Sequence, residues 1–345
     1  MTILVALLGL IFLIAIHELG HMLTAKALGV RVPEFGIGFG PALFKKKLGD
    51  TTYSFRIILL GGFARIAGMG DGRTGPGTYY EKPAWRRALI IFAGPFANVL
   101  VAVLILTVIF MGAREPSTTV ERVVPGSFAD EVGVRKGDRI VAVDGRRVES
   151  WDAFVASVGE KSPGDPVELV VRRDGERRVF SGELEADPRD PERALVGVQP
   201  APSDETYGPV ESFGMAVGRV VEITRLLGVF LWQLLTGEQS FYQNVTGPVG
   251  IVSVSSQSVE QGFFPVLLAF ISLNLALFNL LPILPLDGGH LLFLAVEKII
   301  RKPVSEETMN RVAIVGLMLV LTLFLFATYA DLSKIFSGEP FIPDR

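Results

Sequence analysis

Charged side chains are missing from four long stretches of this chain, and their absence limits the folds open to it more than any other feature. A hydrocarbon core of roughly 30 Å is crossed by about 20 helical residues. The first stretch, Thr2 to Leu28, is apolar apart from Lys26 and a polar cluster at 17–21. The others are Ala88 to Ala113, Gly262 to Leu286 with prolines near its end, and Val312 to Ala330. A further apolar run, Leu226 to Gly237, is too short to span. With Phe213, Val217, Val220, Val221 and Leu227 at roughly helical spacing before it, it predicts an interfacial helix over about 213–237. A mean hydropathy of +0.44 agrees with a polytopic membrane protein. The net charge of −3 gives no basic footprint for nucleic acid, so the expected partner is the lipid bilayer rather than a polynucleotide.

Orientation follows from positive charge in the short connections. Arg31, Lys45, Lys46, Lys47, Arg56, Arg65, Arg73 and Lys82 lie between the first and second stretches, and Lys298, Arg301 and Lys302 between the third and fourth. Both segments are expected on the cytoplasmic side, with both termini outside. No Lys or Arg precedes Lys26, so the first stretch reads as a span rather than as a cleaved leader. Residues 115–205 are instead dense in charge, with a short strand at Val167–Val171 and a turn at Asp174-Gly175. The chain thus divides into a first membrane part, 1–114, an extracytoplasmic insert, 115–205, and a second membrane part, 206–345. Val124-Pro125-Gly126-Ser127-Phe128-Ala129, followed by Gly133 to Gly145, resembles the PDZ domains of bacterial membrane-associated proteases. Arg139 to Val143 reads as a buried strand and Trp151 to Val158 as a short helix. A groove between such a strand and helix takes an extended peptide or a C-terminus by strand addition.

The polar cluster in the first stretch is His17-Glu18-Leu19-Gly20-His21. On a helix the two histidines lie one turn apart on one face and can share a zinc ion. Glu18, about 100° around the helix, can reach a water beside the metal rather than the metal itself, the place of a general base. Ionisable groups at membrane depth are costly and normally face a protein interior. The chain has no cysteine and three histidines, so a third ligand must be His, Asp or Glu. The residues after His21 supply none. Asp287 closes the third apolar stretch in Asn279-Leu280-Leu281-Pro282-Ile283-Leu284-Pro285-Leu286-Asp287-Gly288-Gly289-His290 and is favoured; His290 is the competing ligand. The prolines remove helix donors, so the chain around Asp287 is expected to be unwound and to line a cavity.

H-E-x-x-H in the first span, a PDZ insert and Asn279-x-x-Pro282-x-x-x-Leu286-Asp287-Gly288 together resemble the site-2 protease family of intramembrane zinc metalloproteases. The similarity extends to the bacterial branch of the regulator-of-sigma-E protease type through Gly94-Pro95-x-x-Asn98 and Gly38-Phe39-Gly40, here with a single PDZ domain. The fold class expected is an α-helical polytopic membrane protein with four transmembrane helices, a cytoplasmic-side membrane-reentrant β-element over about 34–66 and an inserted α+β PDZ domain. The resemblance implies zinc as cofactor, His17, His21 and Asp287 as its ligands, Glu18 as the catalytic glutamate and Asn279 as a substrate-binding residue. It also implies a place in the bacterial inner membrane. The substrates it implies are single-span membrane proteins already shortened on the outer side, such as anti-sigma factors or remnant signal peptides. Gly94-Pro95 on its own reads as a helix kink, and Asn98 as a hydrogen bond between helices. The competing reading of the whole chain is a membrane-anchored PDZ scaffold with a structural metal site.

Overall fold

The structure, a computed structural model, describes residues 1–69, 75–187, 190–239, 247–302 and 304–337; Arg73 lies outside them. The described chain forms two compact units, one of Met1–Ile109 with Ser212–Arg345, the other of Phe110–Glu211.

The first unit is helical around one small sheet. α1 (Thr2–Ala27) and α2 (Ala84–Met111) are long and apolar enough to cross a membrane, as is the stretch 307–337 within the last helix. Their outward residues, such as Leu4, Leu8, Phe12, Leu100, Leu104 and Val108, are exposed. That is the arrangement of a membrane protein, whose apolar surface has lipid for a solvent.

Over the third apolar stretch the structure differs from the expected span. Only Phe264–Asn279 is helical there, 16 residues, which at 1.5 Å per residue reach about 24 Å. The cause is the proline pair: Pro282 and Pro285 cannot donate to a helix, and 280–286 leaves helical geometry, with a cis peptide bond at Leu284-Pro285. Among the described residues three helices are both long and apolar enough to cross a membrane, and Phe264–Asn279 is a shorter apolar helix beside them.

In chain order the helices of this unit continue from α2 with α5 (Pro209–Thr236), whose first residues belong to the insert, α6 (Pro248–Gln261), α7 (Phe264–Asn279), α8 (Asp287–Ile300) and α9 (Glu306–Ser337). α5 is helical over 213–236 of the segment read as interfacial and ends before Gly237, which has positive φ. It carries Glu211, Arg219, Glu222 and Arg225 and is not among the span-like helices. α6 packs against α1 and α9. Its first turn is capped from α9 by the buried Asp331, whose carboxylate accepts from Gly247 N (2.9 Å) and Gly250 N (2.7 Å). A carboxylate on the positive end of a helix in an apolar setting satisfies both partners.

β1 (Glu34–Leu48) and β2 (Thr51–Arg65) form the sheet. Residues 42–48 and 51–56 make an antiparallel hairpin. Residues 34–37 pair with 52–55 on one side and with 62–65 on the other, for example Gly36 with both Ser54 and Phe63. The segment 62–65 is thus outermost in the sheet, and it lies against α1, where a Cβ added to Gly62 would sit 3.0 Å from Glu18 Cγ.

The second unit carries a five-strand path β10-β3-β4-β6-β7, with β5 paired to β4 and a separate β8-β9 hairpin. The strands are β3 (Arg114–Val123), β4 (Arg139–Val143), β5 (Arg146–Arg147), β6 (Pro166–Arg173), β7 (Glu176–Glu183), β8 (Glu185–Asp187), β9 (Asp190–Leu195) and β10 (Val198–Thr206). Helices α3 (Phe128–Glu131) and α4 (Trp151–Gly159) complete it, the latter N-capped by Ser150, whose Oγ accepts from Ala153 N. Phe128, Ile140, Val143, Phe154, Val167, Leu169 and Val171 fill the core; Val167, Leu169 and Val171 follow the alternation of β6, while a register shift between Ile140 and Ala142 lets β4 turn both Ile140 and Val143 inward. Asp174 and Gly175 both have positive φ and close the β6–β7 hairpin in the turn that matches strand twist. One reading of the sequence needs correction here. β4 has partners on both sides, so it cannot accept an added strand; among the described residues the free edge on that side of the sheet is β10.

Candidate metal centre and catalytic glutamate

Helical periodicity in α1 stacks His17 over His21, their rings 4.9 Å apart and nearly perpendicular. Asp287 arrives from the first turn of α8, which the non-helical 280–286 segment delivers beside α1. A close backbone approach holds that segment: a Cβ on Gly288 would lie 2.1 Å from Leu280 O. Three donor atoms then converge. Asp287 Oδ2 is 3.1 Å from His17 Nε2 and 3.3 Å from His21 Nε2, and the two Nε2 atoms are 3.3 Å apart.

These spacings suit a shared cation. Ligands placed tetrahedrally at about 2.0–2.1 Å from zinc stand roughly 3.3 Å from one another. Asp287 Oδ2 is buried without a hydrogen-bond partner, a costly state that a cation would relieve. The space around the nitrogens is kept open by Gly94, where a Cβ would fall 2.2 Å from His21 Nε2 and 2.9 Å from His17 Nε2. Two imidazoles and one carboxylate are also the donor set of a catalytic zinc site with its fourth position open. The residues present fit the ion.

α2 supplies the surroundings. It approaches α1 closely because Gly20 has no side chain; a Cβ there would sit 2.3 Å from Ala93 O. His21 Nδ1 donates to Ile90 O at 2.9 Å, and the fully buried Asn98 places its amide 3.2 Å from His17 Nδ1. Glu18 is half-buried on the adjoining face of α1, next to Gly62.

Two residues stand apart from this group. Asn279, at the end of α7, donates to Leu275 O (2.8 Å), and among the described residues no hydrogen bond joins it to His17, His21 or Asp287. His290 is not one of the converging donors. It lines a cavity of about 320 Å³ together with Ala64, Arg65, Tyr80, Leu284 and Asn310. Gly94 and the Ile90 carbonyl are contributors that sequence reasoning missed. The G-P pair was the only available signal for either.

A glutamate beside a pair of helix-borne imidazoles and a carboxylate, in a unit of apolar spanning helices, defines a membrane-embedded metalloprotease. The particular family follows from comparison: the description of Peptidase family M50 fits residues 5–323, and the chain belongs to that family. It is 32% identical to "Putative zinc metalloprotease Cj1068" of Campylobacter jejuni, covering 94% of this chain and 91% of that protein. It is 34% identical to "Putative zinc metalloprotease CPE1693" of Clostridium perfringens, covering 96% and 98% respectively. Among solved structures, the PDZ domain of an SdrC-like protein (Lmo2051) of Listeria monocytogenes is similar to 25% of this chain and 88% of its own, with 22% identity and a TM-score of 0.23.

Proposed function

We propose that the protein is an intramembrane zinc endopeptidase that cuts within the transmembrane segments of single-span proteins in the bacterial inner membrane. The observation that carries this reading is the position of Glu18, which stands next to His17 and one turn from His21 on α1, beside the converging donors of His17, His21 and Asp287, and against the outermost segment of the sheet at Gly62. Zinc held by His17, His21 and Asp287 supplies Lewis acidity toward the scissile carbonyl and lowers the pKa of the attacking water.

Glu18 takes the proton from that water and returns it to the leaving amine. A peptide bond inside a transmembrane helix is shielded by its own turns, so the substrate must unwind and find new partners for its backbone. The outer edge at 62–65 offers them by strand addition. Asn279 needs only to rotate away from the Leu275 carbonyl to bind substrate backbone. In this reading the sheet lies at the cytoplasmic side and the second unit and both termini lie outside. That unit takes a peptide or new C-terminus along β10 and admits substrates already shortened on the outer side; anti-sigma factors and remnant signal peptides are the candidate classes.

The test is cleavage in detergent of a tagged single-span substrate with a truncated outer domain. Glu18→Gln is expected to lower the rate by at least about 10² while zinc content is unchanged, and a chelator to abolish it. Equal product from wild type and Glu18→Gln would sink the mechanism.

A further inference from the structure

The amide of Asn98 presents two problems that one rearrangement solves. Its Nδ2 lies 3.2 Å from His17 Nδ1, while its Oδ1 is buried and has no partner. With a cation at the centre, His17 Nε2 must offer its lone pair toward Asp287 and His21, as its 3.1 and 3.3 Å distances to them indicate. The proton of the neutral ring then sits on Nδ1. Two N–H groups would face each other across 3.2 Å, with the oxygen orphaned. Amide oxygen and nitrogen have nearly the same shape, and a half-turn about the terminal bond exchanges them.

We infer that Asn98 is the positioning residue for the His17 ligand: its Oδ1 accepts the His17 Nδ1–H, fixes the tautomer with Nε2 free for metal, and holds the plane of the ring. The inference rests on the metal site of the proposed function. His21 offers the comparison within the same centre. Its Nδ1 meets the Ile90 carbonyl at 2.9 Å, a group that can only accept, so its tautomer is fixed by α2 backbone. His17 lies one turn nearer the start of α1 and meets α2 two turns beyond Ile90, at the side chain of Asn98, which stands where the acceptor is needed. Asn98 is itself held: its backbone carbonyl accepts from the buried Ser272 Oγ of α7 at 2.8 Å. α2 thus carries an acceptor for each histidine, with Gly94 between them leaving room for the ion.

The experiment measures zinc affinity of the full chain in detergent by competition with a chromogenic chelator, with thermal unfolding of the metal-free protein alongside. Asn98→Leu, which keeps the branched shape and loses the acceptor, is expected to weaken zinc about 10–100-fold. Asn98→Asp, which keeps an acceptor, should bind within about threefold of wild type or tighter. Zinc affinity of Asn98→Leu within twofold of wild type, or equal losses in both variants, would overturn the inference and leave the metal site standing. A wild type that binds no zinc would overturn both. If Asn98→Leu does not fold, the ¹⁵N spectrum of zinc-loaded wild type decides, since only three histidines need assignment. A His17 Nδ1 proton protected from solvent exchange supports the inference, and a His17 ring with no proton on Nδ1 overturns it.

Discussion

Gly94 shows how much of this centre rests on an atom that is not there. A Cβ at this position would lie 2.2 Å from His21 Nε2, inside contact distance of a nitrogen that has to face a metal. Gly94→Ala is therefore expected to lower zinc affinity at least about tenfold, the scale of losses seen when ligand orientation is disturbed. The metal-free protein should not suffer equally, because alanine is the better helix former by roughly 1 kcal/mol. Chelator competition and a melting curve on the same preparation separate the two effects; unchanged zinc affinity would show that the ion sits away from Gly94. Residues differ in how far the sequence announces such roles. His17, Glu18 and His21 were legible because their relation is local and helical spacing alone brings them together. Asp287 was legible by rarity, as an acid bordering an apolar stretch. Gly94 was read as a kink, because clearance depends on which side chain a neighbouring helix turns toward it, and that is not written in either helix.

At the scale of elements the same distinction holds. The β1–β2 hairpin was visible as turn residues followed by alternation, but not the double pairing of 34–37 that leaves 62–65 outermost. β10 was missed as the free edge because Pro200 and Pro202 make its sequence look like linker. An edge strand is where a sheet tolerates proline, since one side needs no donors. Between β4 and β6 the sheet is stapled by a buried pair: Arg173 Nε and Nη2 each lie 2.7 Å from an oxygen of Asp138, which also accepts from Arg135 N. Burial pushes the Asp138 carboxyl up, but the Arg173 and Arg135 hydrogen bonds outweigh it and hold the group below the ordinary carboxylate range. The folded pKa being the lower one, this contribution to stability is complete above the ordinary value of about 3.9 and is lost as pH falls through the folded value. Asp138→Asn should cost this unit about 3 kcal/mol at neutral pH, because it leaves Arg173 with an uncompensated charge. Hydrogen exchange of the 139–143 and 166–173 backbone in the full chain reads this directly. The difference between wild type and variant should narrow as the medium is acidified below pH 4; a difference independent of pH would assign the loss to packing.

For the whole molecule, the division of labour between the units is the testable matter. Every residue of the metal centre, its glutamate and the sheet edge beside it belongs to Met1–Ile109 or to Ser212–Arg345, while the chain of the other unit enters at Phe110 and leaves at Glu211. Among the described residues, nothing in that inserted unit joins the donor group of His17, His21 and Asp287. In the proposed function, catalysis and selection of substrate are therefore separable. Replacing residues 118–200 by a flexible Gly/Ser linker of about 20 residues, which spans about 25 Å on average, should leave zinc affinity within about threefold of wild type. If affinity collapses, the membrane unit does not fold without its insert. If affinity holds, the pair of substrates becomes informative: wild type should cut the outer-truncated single-span protein and spare the intact one, and the linker variant should cut both at comparable rates. A linker variant that still spares the intact substrate would move the gate from the insert to the spanning helices, and the free edge of β10 would then serve some purpose other than admission.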